Sequence, residues 1–100
     1  MKESDVEDYL VWTAEQHGDE VRKVQWVGRS KAPDRVLMRR PRVVRRASTV
    51  WIELKKPGGL ATFPKNAHER GQAREHKRMR DCGQEVVVID SKEGVDALFT

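Results

Sequence analysis

The 100-residue chain predicts an α/β fold, a mixed central sheet flanked by helices, in the order αβββαβα. Three observations carry that prediction. Apolar residues recur at helical spacing near the N-terminus, and three stretches rich in β-branched or aromatic residues follow. A short apolar run, Glu85–Ile89 (EVVVI), then comes directly after a long helical segment. A strand reached through a helix needs a crossover connection, so at least one strand pair is parallel, while the first three strands form an antiparallel meander.

The elements follow in chain order. Val6, Tyr9, Leu10 and Thr13 form one helical face, with Ser4 as the expected N-cap and Gly18 as the stop. Residues 21–27 (VRKVQWV) read as a strand, and Gly28, Ser30 and Pro33 interrupt the chain before a second strand at Arg35 to Arg39. Thr49 to Lys55 alternates cleanly, with Val50, Ile52 and Leu54 on one face and Trp51, Glu53 and Lys55 on the other. Pro57-Gly58-Gly59 ends that strand. A helix begins at about Asn66 with an inward stripe of Gln72, His76, Met79 and Gly83 and a very basic outer side. EVVVI reads as a strand buried on both faces, and Asp90 is the expected cap of a last short helix that uses Val95, Leu98 and Phe99. Trp12, Trp26 and Trp51 read as core, although Trp51 shares a face with Glu53 and is placed to line a cleft.

Length and composition bound what such a chain does. One hundred residues make one domain, 1–100, and exclude a second globular one. Leu, Ile, Val and Phe number 22, enough for a thin core despite 36% charged residues. No run is long and apolar enough for a membrane span, and the Met1-Lys2-Glu3 start lacks the apolar stretch of a signal peptide, so a cytoplasmic protein is expected. With Cys82 alone, neither an intramolecular disulfide nor a four-cysteine zinc site is available, and the spacing of His17, His68, His76 and Cys82 fits no usual zinc pattern.

The formal net charge of +4 is the sum of three unlike blocks. Residues 1–20 carry one Lys against seven acids (−6), residues 21–80 eighteen Lys and Arg against four acids (+14), and residues 81–100 one Lys against five acids (−4). A basic middle of that size attracts polyanions, of which nucleic acid is the commonest soluble one. Arg39, Arg40, Arg42, Arg45 and Arg46 surround Pro41 in the turn between the second and third strands. They suit either a phosphate grip or a solvated, disordered tip.

Adjacent antiparallel strands bring Asp34, at the start of the second strand, toward Glu53 and Lys55 on the third. Two carboxylates a few ångströms apart repel unless a cation lies between them, and oxygen donors with open positions suit Mg²⁺ or Mn²⁺. A lysine beside them can orient an attacking water and stabilise charge on a phosphorane. E-x-K on a strand is also a common cross-strand ion-pair surface. The combination with Pro33-Asp34 and the +14 block is what favours phosphodiester hydrolysis.

Gly28–Met38 (GRSKAPDRVLM), Val50–Gly59 (VWIELKKPGG) and Gln72–Leu98 (QAREHKRMRDCGQEVVVIDSKEGVDAL) resemble the virus-type replication-repair nuclease (VRR-NUC) domain, a branch of the PD-(D/E)xK nuclease superfamily. The resemblance spans nearly the whole chain. It implies a restriction-endonuclease-like αβββαβ core with a short C-terminal helix, of the stand-alone type found in phages and prophages. It further implies an Mg²⁺- or Mn²⁺-dependent, structure-selective DNA endonuclease that cuts flaps or four-way junctions, acting in a bacterial or phage-infected host cell. By that resemblance Asp34, Glu53 and the carbonyl of Leu54 are metal ligands, Lys55 is the catalytic lysine, and Gln72 is the family's helix glutamine. Glu7 matches the first-helix acid that approaches the metal, but Ser4-x-x-Glu7 equally fits a capping box, and Glu3 is a rival for the same role. Lys31 stands where a glycine often precedes the Pro-Asp turn, and Leu60–Gly71 is longer than in many members.

Arg29, Lys31, Arg35, Lys56, Arg70, Arg74, Lys77 and Arg78 are the candidate phosphate contacts. A chain this small offers one site, so two-strand or junction cutting calls for a homodimer. A noncatalytic basic nucleic-acid-binding module is the alternative, and a protein-interaction domain whose acidic ends pair with its own basic middle is a third reading.

Overall fold

The computed structural model describes all residues, Met1–Thr100. Helix α1 (Glu3–Gln16) starts from Lys2, whose backbone N–H donates to Asp5 Oδ2 at 2.6 Å. Ser4 therefore lies inside the first turn and is not the N-cap expected from the sequence. Asp5 satisfies an orphan amide and places negative charge at the positive helix end. The helix buries Val6, Leu10, Thr13 and Ala14, and Thr13 is tolerated there because its hydroxyl donates to Tyr9 O at 2.7 Å. Trp12 falls outside that stripe. It is 55% exposed and stacks on Tyr9 with ring centroids 6.0 Å apart, so the expectation of a core Trp12 fails.

Strand β1 (Glu20–Lys23) is shorter than the 21–27 run suggested. The Val24 N–H still reaches Asp34 O at 2.9 Å, but the chain then turns away, held by a 2.6 Å bond from Trp26 Nε1–H to Pro33 O. Gly28, at φ +81°, completes this turn in a conformation that side chains disfavour. Strands β2 (Arg35–Arg39) and β3 (Ser48–Leu54) follow, then helix α2 (Ala67–Asp81), strand β4 (Glu85–Ile89) and helix α3 (Lys92–Ala97). The sheet order is β1-β2-β3-β4. The first two pairs are antiparallel and β3–β4 is parallel, with α2 as the crossover.

Alternation along the strands divides the sheet into two faces. Leu37 lies opposite Val50, and with Ile52, Leu54 and Ile89 they form a core closed by Val6, Leu10 and Val95 from α1 and α3. Tyr9 Oη donates to Asp96 Oδ1 at 2.7 Å and ties those two helices together. The other face carries Trp51 and Glu53 and receives α2. β4 is an edge strand: Val86 and Ile89 are buried, but Val87 and Val88 only partly, in contrast to the fully buried strand expected. Ser91, not Asp90, caps α3, its Oγ accepting from Gly94 N–H at 3.0 Å. Asp90 Oδ2 instead accepts from the Gly58 and Leu60 amides, fixing the turn after β3.

The arginine-rich connection between β2 and β3 is tied down by four of its five arginines, with Arg46 left exposed. It folds back onto the carbonyl ends of two helices. Arg42 donates to His17 O at 2.6 Å and Arg40 to Gly18 O, while Arg39 and Arg45 both donate to Leu98 O. Such carbonyls lack intrahelical partners and carry the negative end of the helix dipole, so guanidinium groups suit them. Asp19, with no exposed side-chain surface, accepts from the Arg40 N–H at 2.8 Å and pairs with Arg42 at 3.0 Å. No helix is long and apolar enough to cross a membrane.

Asp19→Ala leaves this hairpin without its anchor and strands buried donors. Because Arg42 keeps partial exposure, we expect a loss of about 3 kcal/mol, the lower part of the range for a broken buried pair. Urea denaturation measures it. A loss below about 1 kcal/mol, the scale of a surface pair, would show that the clamp adds little.

Candidate active site

The β2–β3 register builds the site. Arg35 pairs with Ile52, so the next step of the antiparallel ladder sets Asp34 opposite Glu53. Directly opposite residues project from the same face with Cβ atoms about 5 Å apart. Both carboxylates line one cleft of about 640 Å³ together with Trp26, Arg29, Arg35 and Gln72. Their surroundings differ: the Asp34 side chain is 61% exposed and that of Glu53 11%. Glu53 faces His76, which is wholly buried, with Nε2 3.3 Å from Glu53 Oε1. The imidazole stacks on Phe63, and its Nδ1 has no partner. With the hydrogen on Nε2, the ring donates to Glu53 and the orphan is a lone pair, the less costly group to leave unpaired.

Lys55 sits on the same strand face, two residues on. Its Nζ donates to Gln72 Oε1 at 2.7 Å and to Glu69 Oε2 at 3.1 Å, and the Phe63 ring lies 5.2 Å away. Gln72, Glu69 and His76 can all reach the sheet because three- and four-residue spacings share one helical face. Asn66, near which the sequence predicts the helix to begin, caps α2, its Oδ1 accepting from Glu69 N–H at 2.9 Å. The Lys65 backbone N–H donates to Glu69 Oε1 at 3.0 Å, and this bond, with Lys55 beside it, holds the Glu69 carboxyl below its ordinary value of 4.5. Sequence reasoning missed Glu69, although its spacing to Gln72 and its place among only four acids in the basic block were both visible. It also missed Glu75, whose buried Oε1 accepts from Arg78 and pairs with Arg29 at 3.5 Å.

Glu7 is not brought to this cleft. It reaches the opposite side of the sheet from α1 and contacts the Arg35 guanidinium, which also pairs with Asp34 at 2.9 Å. Its capping role is taken by Asp5, and Glu3 is exposed at the start of the helix. Arg35, counted among the phosphate contacts, is only 12% exposed and lies between two carboxylates. Leu54 buries its side chain in the core between Glu53 and Lys55.

No group of three or more His, Cys, Asp or Glu side chains gathers closely enough to hold a metal. The carboxylates that line the open cleft are Asp34 and Glu53. Two carboxylates fit a hard divalent cation which retains several waters, and the one imidazole nearby, His76, has its Nε2 turned to Glu53.

Basic side chains lie on the elements around the cleft, with Arg29 in its lining. Arg29 and Arg78 are more than half exposed. Lys31 crosses α2 at Gly71, where a Cβ would lie 3.2 Å from its stem, and its Nζ is 2.5 Å from His68 Nδ1. Arg70 and Arg74 are exposed on α2, Lys77 pairs with Asp81 one turn on, and Lys56 is exposed just past β3.

The lowered Glu69 value sets a pH dependence. A depressed carboxyl contributes stability that is complete above its unfolded value and is lost as pH falls through the folded one. Glu69→Gln should therefore be less stable than wild type near neutrality, with the gap closing as pH falls below the ordinary carboxyl value of 4.5. Chemical denaturation across that range checks this, and a gap independent of pH would contradict it.

No protein-family model and no curated protein matches the chain. A solved structure described as a VRR_NUC domain does, with a TM-score of 0.72 and 30% sequence identity, covering 97% of this chain and 92% of the other. The likeness takes in the whole αβββαβ core, and with it both strands that face Asp34 toward Glu53. At that identity over nearly the full length of both chains, the protein belongs to the VRR_NUC family of nuclease domains.

Proposed function

We propose that the protein is a metal-dependent DNA endonuclease that hydrolyses phosphodiester bonds, with Asp34, Glu53 and the Leu54 carbonyl holding Mg²⁺ or Mn²⁺ and Lys55 as the catalytic lysine. The observation that carries this reading is that Asp34 and Glu53 line one cleft together with Gln72, whose amide oxygen accepts from Lys55. When bound, the cation supplies Lewis acidity at the scissile phosphate. The side chains supply position and charge. An ammonium has three donors, and two of those on Lys55 are taken by Gln72 and Glu69. The third is free for a water or a phosphate oxygen. Gln72 commits its amide oxygen to Lys55, leaving its NH₂ group for the cleft it lines. His76 and the low exposure of Glu53 limit the rotamers of that carboxylate and so preorganise one side of the site.

Exposed Arg29, Arg70, Arg74 and Lys56 suit contact with the phosphate backbone, which carries no sequence information and supports recognition by shape. Flap or four-way-junction DNA fits that mode of recognition. Cutting two strands with one cleft per chain calls for a homodimer about a two-fold axis. One observation favours the noncatalytic alternative: Asp34 already has a cationic partner in Arg35. An ion-pair surface would look the same without any metal.

Two outcomes test the reading. Asp34→Ala and Lys55→Ala should each lower Mn²⁺-dependent cutting of labelled flap or junction DNA by about 10²-fold or more, with binding in EDTA retained. Absence of metal-dependent cutting by the wild type on any DNA would favour the binding module. Arg74→Ala, which removes an exposed cation that has no partner, should weaken DNA binding uniformly across sequences and reduce the salt slope by about 1. An unchanged slope would remove α2 from the interface.

A further inference from the structure

A second concavity of about 390 Å³ adjoins the cleft and shares Trp26 and Arg29 with it. Its walls are the half-buried Trp26 and Trp51, with ring centroids 5.1 Å apart, and Met79 from α2, while Cys82 and Gln84 close its far end. Both indole N–H groups are already satisfied, Trp26 by Pro33 O and Trp51 by Gln84 Oε1 at 2.9 Å, so a ligand in the pocket meets the rings and need not supply an acceptor. Two guanidinium groups stand at its mouth. Arg29 and Arg78 both converge on Glu75 Oε1, a buried carboxylate that holds each in place while leaving more than half of each side chain exposed. The pocket is thus apolar and aromatic inside and net positive at its rim, and its volume lies in the range of small-ligand sites.

We infer that this pocket is a subsite for one unpaired nucleobase of a DNA strand, stacked on Trp26 and Trp51 against Met79, with Arg29 and Arg78 holding the flanking phosphates. The inference rests on the nuclease reading and adds the substrate feature that the site selects. Base stacking on aromatic side chains is tolerant of sequence, and arginines beside the rings suit the backbone that accompanies each base. Position supports the assignment. Trp51 precedes Glu53 by two residues on the same face of β3, a separation of about 7 Å, so a base held there adjoins the phosphate at the carboxylates. Paired bases are stacked inside a duplex and cannot enter. Occupancy therefore favours DNA with an unpaired nucleotide next to the cut.

The test uses the full chain carrying Trp12→Phe, so that emission comes from Trp26 and Trp51 only, with oligo(dT) and a blunt duplex as probes in EDTA. Oligo(dT) should quench the fluorescence and slow alkylation of Cys82, the sole cysteine, by N-ethylmaleimide at least about fivefold, whereas the blunt duplex should do neither. Trp51→Leu should weaken oligo(dT) binding about tenfold and Trp51→Phe, which keeps a ring, much less. Circular dichroism identifies any variant that fails to fold, and the alkylation result on the Trp51-containing protein stands without it. Equal quenching and protection by the blunt duplex, or neither by oligo(dT), overturns the subsite. Metal-dependent cutting without quenching or protection overturns the subsite and leaves the nuclease reading. Oligo(dT) occupancy without metal-dependent cutting of any DNA overturns the nuclease reading and leaves the subsite.

Discussion

The register between β2 and β3 is the constraint on which the rest depends. Leu37 and Val50 face each other with no exposed surface, and Ile52 beside them is equally buried. A slip of one residue would turn Val50 and Ile52 outward and drive Trp51 and Glu53 into the space between the sheet and α1, leaving an unpaired buried charge that a fold this small could not tolerate. The hydrophobic face thus fixes the polar one. Because Leu37 must meet Val50, Asp34 must meet Glu53, and Lys55 must point at α2.

Helix α2 completes what the register begins. Its inward stripe carries Glu69, Gln72, Glu75 and His76, four polar side chains at positions where a helix packed on a sheet usually carries apolar ones. Each has a named partner: Glu69 and Gln72 on Lys55, His76 on Glu53, Glu75 on Arg29 and Arg78. The four acids of the basic block, Asp34, Glu53, Glu69 and Glu75, all lie along this one side of the molecule. Charge that looks diffuse along the chain is concentrated in space: Asp34 and Glu53 line the cleft, and Glu69 and Glu75 pair with cations on α2's inner side.

Much of this is legible in the sequence, and for identifiable reasons. Alternation sets the faces of β3, so Glu53 and Lys55 fall together with Asp34 on pattern alone, and the Gln72-His76-Met79 stripe follows from helical spacing. Boundaries set by side-chain chemistry are less legible. Asp5 competes with Ser4 for the start of α1, and Ser91 with Asp90 for that of α3, and local sequence does not rank them. Glu7 matches a family position but lies behind β2 on Arg35, because the face a helix residue presents depends on how the helix docks. The arginine cluster is least legible: its partners are carbonyls of His17, Gly18 and Leu98, up to 59 residues away, which no charge count reveals.

Asp34, the more exposed of the two proposed ligands, is also the partner of Arg35, so the central claim is that a divalent cation nevertheless takes the space between Asp34 and Glu53. Anomalous diffraction from crystals of the protein soaked in Mn²⁺ tests this directly. The account predicts one manganese peak bridging the Asp34 and Glu53 carboxylates, within reach of the Leu54 carbonyl. No peak there, with the Asp34–Arg35 pair intact at saturating Mn²⁺, would contradict it.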